Sequence, residues 1–377
     1  MKLISSTFPE SSPTSVSASR PTKKVRILFM PPIDVGSTNA QSLNARELAL
    51  RFDPDRLEST LWYETEPDPR LRNHPGVRLL KLPASGKTFR ILREQLAGYD
   101  LIAYMDCSPA SYTFLHLPRA FRSQTTTVFH AEAPAAQLNG SSRRVRFLCR
   151  GVLPKCDVHT GITDFVARDL ERMRLRSQYV LPVGVDLRFF SPPRTRTNKI
   201  PTVLFVGTLI ERKGLRTLLR VAAHFPDVTF RLVGSGRDGY ESVLRSSIDE
   251  LGLKNVSLEG PKTQHQVLET MRESDTLLVP SRLEGIPKVT LEAAATGLPC
   301  VVFNDYQTPS VVHGLTGFQV ESVDEMVKSL GQLIGDASLR QSMGVEARKH
   351  AQKFDWNLVA KMWADAYLDM AARALRR

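Results

Sequence analysis

The segment TLLVPSRLEGIPKVTLEAAATGLPCVVF (Thr276–Phe303) reads as a strand, a loop, a helix and a second strand. TLLVPS is an apolar run of strand length. The loop SRLEGIP carries Glu284, Gly285, Ile286 and Pro287, a helix is expected to open near Lys288, and PCVVF is a second apolar run. A strand that returns through a helix to another strand builds a parallel sheet covered on both faces. The alternation extends outward. TVLFVG and FRLVG precede it, and VRILFM (Val25–Met30), STLWY (Ser59–Tyr63), DLIAYMD (Asp100–Asp106) and TTTVFH (Thr125–His130) repeat it in the first half, with LNARELALRF (Leu43–Phe52) a helix between them. The fold class is therefore α/β with parallel sheets.

At 377 residues the chain is about twice a common domain size of roughly 100–200 residues, so two domains are expected. The proline-rich SPPRTRTNKIP (Ser191–Pro201) suits a linker. The expected organisation is a Ser/Pro-rich disordered leader at 1–22, a first doubly wound domain at 23–190, a second at 191–355 and a closing helix at 356–377. In that helix Leu358, Val359, Met362, Trp363, Ala366, Tyr367 and Met370 recur at helical spacing. Two such domains enclose a cleft where the carboxyl ends of their strands converge.

Composition is that of ordinary globular material, 42% hydrophobic, 24% charged and 7% aromatic, which excludes collagen-like, coiled-coil and largely disordered chains. Cys107, Cys149, Cys156 and Cys300 form neither a disulfide framework nor a zinc pattern. No apolar run reaches the roughly 20 residues of a membrane span, and the leader lacks a signal-peptide core. A cytoplasmic location is expected. The net charge of +12 is uneven, with 25 basic against 17 acidic residues in 23–190. It concentrates in Arg143, Arg144, Arg146, Arg150 and Lys155, in a stretch free of acidic residues. Phospholipid, a phosphorylated acceptor or nucleic acid would complement that segment. Only Phe147 interleaves it as an aromatic, which disfavours nucleic acid. On a helix its apolar residues would lie beside a basic face, as in peripheral attachment to the inner face of a membrane.

Glu284 and Glu292 flank the expected helix start. Amide groups of a first helical turn, aided by the helix dipole, suit phosphate. Gly285 admits close backbone approach to a ligand, and the carboxylates could accept from sugar hydroxyls. A second strand-to-helix loop, GTLIERKG (Gly207–Gly214), sets Arg212 beside Lys213, a pair suited to a leaving group gaining charge. GSG (Gly234–Gly236) is a third loop, by itself consistent with a tight turn.

Together these stretches resemble retaining glycosyltransferases of the GT-B fold, specifically glycosyltransferase family 4, over nearly the whole chain from Lys24. The E-x7-E motif is Glu284-GIPKVTL-Glu292, the phosphate loop is GTLIERKG, and PVGVDLRFF (Pro182–Phe190) resembles the linker signature. HGLTGF (His313–Phe318) and FDWNLVAKMWADAY match the flanking and terminal segments. The resemblance implies two Rossmann-like domains, with the terminal helix crossing back to the first. It implies a nucleotide-sugar donor, UDP- or GDP-linked, and transfer with retention to a lipid-linked or glycan hydroxyl, in cell-surface polysaccharide or glycolipid synthesis. Cofactor and metal are both expected to be none. Glu292 would hold the ribose, Glu284 the donor sugar, and the amides of Gly285, Ile286, Pro287-Lys288 would face the diphosphate, with Gly207, Thr208 and Gly234 beside it. Lys213 would neutralise the leaving phosphate.

Two departures stand in the phosphate loop. Thr208 replaces the customary arginine, and Arg212 replaces a glutamate and is assigned the missing charge. Ser310 stands where a glutamate is common. His130 takes the position of a histidine beside the reacting sugar, with Glu132 as its alternative. The small-residue loop with Gly36, Ser37 and Asn39 takes the acceptor side, without a Gly-Gly pair. Base recognition is assigned to backbone near Glu259–Lys262. Asp53-Pro54-Asp55 spells a metal motif but follows a helix and is read as a solvated turn. The alternatives are a nucleotide-sugar epimerase of the same architecture and a non-catalytic nucleotide-sugar or anionic-lipid binder.

Overall fold

A computed structural model describes residues 23–30, 34–37, 39–122, 125–134, 142–193, 200–237 and 239–374. The leader 1–22, residues 194–199 of the linker, and Asn139–Ser141 of the basic segment lie outside the described residues. The first sheet contains β1 (Val25–Phe29), β2 (Leu57–Tyr63), β3 (Val77–Lys81), β4 (Leu101–Tyr104), β5 (Thr126–Ala131), β6 (Val158–Gly161) and β7 (Ser177–Val180). Their order is β3-β2-β1-β4-β5-β6-β7, parallel throughout. The second contains β8 (Thr202–Val206), β9 (Thr229–Val233), β10 (Val256–Gly260), β11 (Thr276–Val279), β12 (Cys300–Phe303) and β13 (Gly317–Val320), ordered β10-β9-β8-β11-β12-β13 and also parallel.

Both orders reverse direction after the central strand, between β1 and β4 and between β8 and β11. Right-handed crossovers place helices on opposite faces before and after such a switch, and the loops flanking it diverge to leave a crevice. The loops after β8 and β11 are the two richest in the sequence, GTLIERKG and SRLEGIP. The topology alone therefore makes them neighbours.

The helix read from Leu43 starts earlier, at Ala40, because the Asn39 side chain accepts from the Ser42 amide and caps it. Asn39 thus has a structural task in the acceptor-side loop. Asp34 organises the rest of that loop. Burial pushes its pKa up, but hydrogen bonds from Glu64, Thr65 and Gly36 outweigh this and hold it below the ordinary value. A Cβ at Gly36 would lie 2.3 Å from Thr65 Oγ1, so only glycine lets these two loops close on each other.

The terminal helix, Trp356–Ala374, returns to the first domain. Val185 bridges to Asp355, and the Trp363 indole donates to the Pro182 carbonyl at 2.8 Å. Tyr367 sits edge-on to Phe29 and Phe52, both at 6.1 Å between ring centres. A Cβ at Gly184 would come within 2.6 Å of the Trp356 ring, which makes glycine obligatory where the linker crosses the indole.

Candidate active site

Chain folding brings the motif loops together through glycine contacts. A Cβ at Gly234 would lie 1.8 Å from the Gly207 carbonyl oxygen, and one at Gly214 would lie 2.1 Å from that of Pro280. The three loops of the second domain therefore pack backbone to backbone. Gly285 meets the first domain. Its Cβ position is 2.0 Å from the Glu132 carbonyl oxygen, so this glycine lets the second domain close onto the first.

Lys213 donates to Glu284 Oε1 at 2.7 Å. Arg212 donates to the same oxygen at 3.3 Å and to the Leu283 carbonyl at 2.9 Å. Glu284 is 8% exposed. Two cations thus converge on one buried carboxylate beside the helix Lys288–Ala295, leaving a net positive charge where that helix begins. Among the described residues, no acceptor takes the amide hydrogens of Gly285, Ile286 or Lys288. Thr208 is half-buried at the neighbouring loop, and the Arg212 guanidinium is held by the Leu283 carbonyl and Glu284. Ser310 is buried and bonded to Thr290 and Thr308, which packs its loop onto the first turn of the same helix.

Glu292 lies one turn beyond Lys288 and lines a cavity of about 260 Å³. Lys288, Gln264, Phe189, Trp356 and, from the first domain, Arg46 share that cavity. Burial raises the Glu292 pKa, opposed by the Lys288 charge. Burial lowers the pKa of Lys288, opposed by Glu292 and Glu132. The Glu259 carboxylate, in the loop assigned to the base, is held by Arg231 and Lys262.

The first domain contributes an unanticipated residue. Asn44 is 2% exposed; it donates to Glu132 Oε1 at 3.0 Å and accepts from the Lys288 ammonium at 3.0 Å. This link crosses between the domains. A polar residue on the buried face of LNARELALRF was the available signal.

His130, which the resemblance puts beside the reacting sugar, is buried. It is 2% exposed; Nδ1 meets Thr160 Oγ1 at 2.6 Å and Nε2 meets the Tyr367 hydroxyl at 2.8 Å. The Trp363 ring lies 4.7 Å away. Both ring nitrogens are engaged under the terminal helix, and burial lowers the pKa to about 3. In the basic helix Arg143–Val152, Arg143, Arg144 and Arg150 are exposed, whereas Arg146 is only half-exposed. Asp53 and Asp55 lie in the turn after the first helix, where Asp55 N donates back to Asp53.

Residues 189–350 match the family described as "Glycosyl transferases group 1". Across a 389-residue alignment the chain is 30% identical to D-inositol 3-phosphate glycosyltransferase of Corynebacterium diphtheriae, covering 90% of this chain and 91% of that protein. It is 31% identical over 206 residues to a GDP-mannose-dependent monoacylated alpha-(1-6)-phosphatidylinositol monomannoside mannosyltransferase of Corynebacterium glutamicum. That match takes in 48% of this chain and about half, 53%, of the mannosyltransferase. Among solved structures, sucrose-phosphate synthase from Thermosynechococcus elongatus superposes with a TM-score of 0.78 at 19% identity, over 93% of this chain and 100% of that one. Anabaena HepE in complex with UDP and glucose gives 0.75 at 18% identity, over 92% and 100%. At such identities the structures establish the fold, GT-B. Sequence and architecture agree, and the chain belongs to the group 1 glycosyl transferases.

Proposed function

We propose that this protein transfers a sugar from a nucleotide-sugar donor to an acceptor hydroxyl with retention at the anomeric carbon. The observation that carries the reading is the convergence of Arg212, Lys213 and Glu284 at the first turn of the helix bearing Glu292. A diphosphate placed against the free amides would meet both cations as charge develops on it. Glu292, at the wall of the adjacent cavity, would accept from ribose hydroxyls. The donor sugar would then lie toward Glu284. In a front-face displacement the departing phosphate takes the acceptor proton, and the protein supplies position and charge.

The HepE structure with UDP-glucose and the GDP-mannose dependence named for the corynebacterial relative support a UDP- or GDP-linked donor. The relatives named for inositol phosphate and phosphatidylinositol acceptors support an acceptor that is lipid-linked or carries phosphate. An anionic membrane surface is the partner proposed for the basic helix. No helix among the described residues is long and apolar enough to cross a membrane.

The test is nucleotide release from UDP-glucose and GDP-mannose with and without a lipid or glycan extract. Release coupled to a new α-linked product is expected. An altered nucleotide sugar would indicate an epimerase, and binding without turnover would indicate a non-catalytic binder. Either would overturn the reading.

A further inference from the structure

We infer that Tyr306 is a positioning residue for Glu284: its buried hydroxyl takes up the Glu284 carboxylate once a donor diphosphate has drawn Lys213 and Arg212 away. The inference deepens the proposed donor site and rests on that reading. The loops after β11 and β12 run side by side, because Val279 pairs with Val302. Arg282 fastens one to the other: its guanidinium lies 3.7 Å from the centre of the Phe303 ring and donates to Asp305 Oδ2 at 2.8 Å. Glu284 belongs to the first loop, and Tyr306 ends the short turn Asn304–Tyr306 of the second. Tyr306 and Ser281 are both 0% exposed. Neither hydroxyl has a hydrogen-bond partner among the described residues, and no other described side-chain donor buried in the second domain is left so. An unpaired buried hydroxyl forfeits the hydrogen bonds it made to water. Two of them in neighbouring loops call for an acceptor supplied by a rearrangement.

Glu284 is that acceptor. Both cations hold the same oxygen, Oε1, and no described residue donates to Oε2. The carboxylate already acts on the phenol. Burial first, and then the Glu284 charge, holds the Tyr306 pKa well above its ordinary value, so the hydroxyl keeps its proton as a donor. When a diphosphate competes for Lys213 and Arg212, Glu284 becomes a buried carboxylate without a partner, which is costly. A charge-assisted hydrogen bond from Tyr306 offsets that cost. The tyrosine is the fixed member of the pair. Gln307, the next residue, has φ 45°, in the left-handed region where residues other than glycine are uncommon, and its side chain accepts from Arg168 of the first domain at 2.7 Å. The turn is thus tied on both sides, and Glu284 does the moving. Having no exposed surface, Tyr306 does not reach the sugar and acts through Glu284.

The experiment compares the full chain with Tyr306→Phe, which keeps the ring and removes the hydroxyl alone. Without nucleotide the urea midpoint is expected to be unchanged, since no hydrogen bond is lost. Affinity for UDP or GDP, whichever the wild type binds more tightly, should fall roughly tenfold or more by calorimetry, the effect of one hydrogen bond to a charged group. In a Glu284→Ala background the same change should leave that affinity unaltered, because the partner is gone. Turnover of the matching nucleotide sugar should fall in Tyr306→Phe as well. If the wild type binds neither UDP nor GDP, the donor-site reading falls and this inference falls with it. If the wild type binds one of them and Tyr306→Phe binds it equally well, or if the loss persists in Glu284→Ala, the positioning role alone is overturned. A lower urea midpoint for Tyr306→Phe would show that the hydroxyl already has a partner, such as a buried water, and would equally overturn the proposal.

Discussion

The ammonium of Lys213 donates to Oε1 of Glu284 at 2.7 Å, although the two residues are separated by 71 positions. Each belongs to a loop at the topological switch of the second sheet. Their contact, shared by Arg212, holds the two cations on a carboxylate while no diphosphate is present. A donor phosphate would compete with Glu284 for these charges, so occupancy of the site would release Glu284 toward the sugar.

Replacing Lys213 by alanine is therefore expected to lower kcat roughly ten- to hundredfold, the equivalent of one charge-assisted hydrogen bond of about 1.5–3 kcal/mol. Lys213→Arg should recover part of the loss. Steady-state kinetics with the identified donor decide it, and a wild-type kcat in Lys213→Ala would remove Lys213 from the mechanism.

Glu292→Gln should weaken nucleotide binding about tenfold or more, because an amide accepts more weakly than a carboxylate. In the wild type, burial raises the pKa of Glu292 above its ordinary value of 4.5. The carboxylate proposed to accept from the ribose is then lost on acidification before an ordinary glutamate would be. Calorimetric titration should show affinity falling as pH drops through that raised pKa, and the Glu292→Gln variant should lack this fall.

Gly285→Ala places a methyl group 2.0 Å from the Glu132 carbonyl oxygen, so the domains must separate. Turnover is expected to fall, and nucleotide affinity should fall less than turnover if the amide of residue 285 keeps its place. Lys288→Met should also lower turnover by breaking the link through Asn44, and it should weaken nucleotide binding too, because Lys288 lines the cavity with Glu292. Small-angle scattering should report a more open molecule for both, and compact profiles with full activity would contradict the latch.

His130→Ala should destabilise the fold by about 2–4 kcal/mol, since it opens a cavity and leaves the Tyr367 hydroxyl without its partner. A pH signature accompanies this. The folded pKa of about 3 lies below the ordinary 6.5. The unfolded chain therefore takes up the proton first, and the stability tied to neutral His130 is complete above about pH 6.5 and is lost progressively as pH falls toward 3. Urea melts across that window should show a shallower decline for His130→Phe than for the wild type. Equal slopes would mean that the ring is solvated.

The sequence by itself determined the architecture. Apolar runs of strand length, separated by helical stretches, force parallel pairing because such strands must be covered on both faces. Spacing also fixed Glu284 and Glu292 on one loop-and-helix unit and Arg212 and Lys213 on another, since these relations are local. Tertiary structure decided what each group meets. Gly285 could be read as room for a ligand, but whether its missing Cβ faces solvent, ligand or another backbone depends on how the domains close, and it faces Glu132. His130 lies in the last two residues of its strand, which ends at Ala131, yet the terminal helix, 237 positions away, takes its second nitrogen. Asn44 gave little sign of spanning the domains, because its partners Glu132 and Lys288 lie 88 and 244 positions along the chain. Local pattern encodes which face of an element is buried; only the packing of distant elements specifies the atoms that bury it.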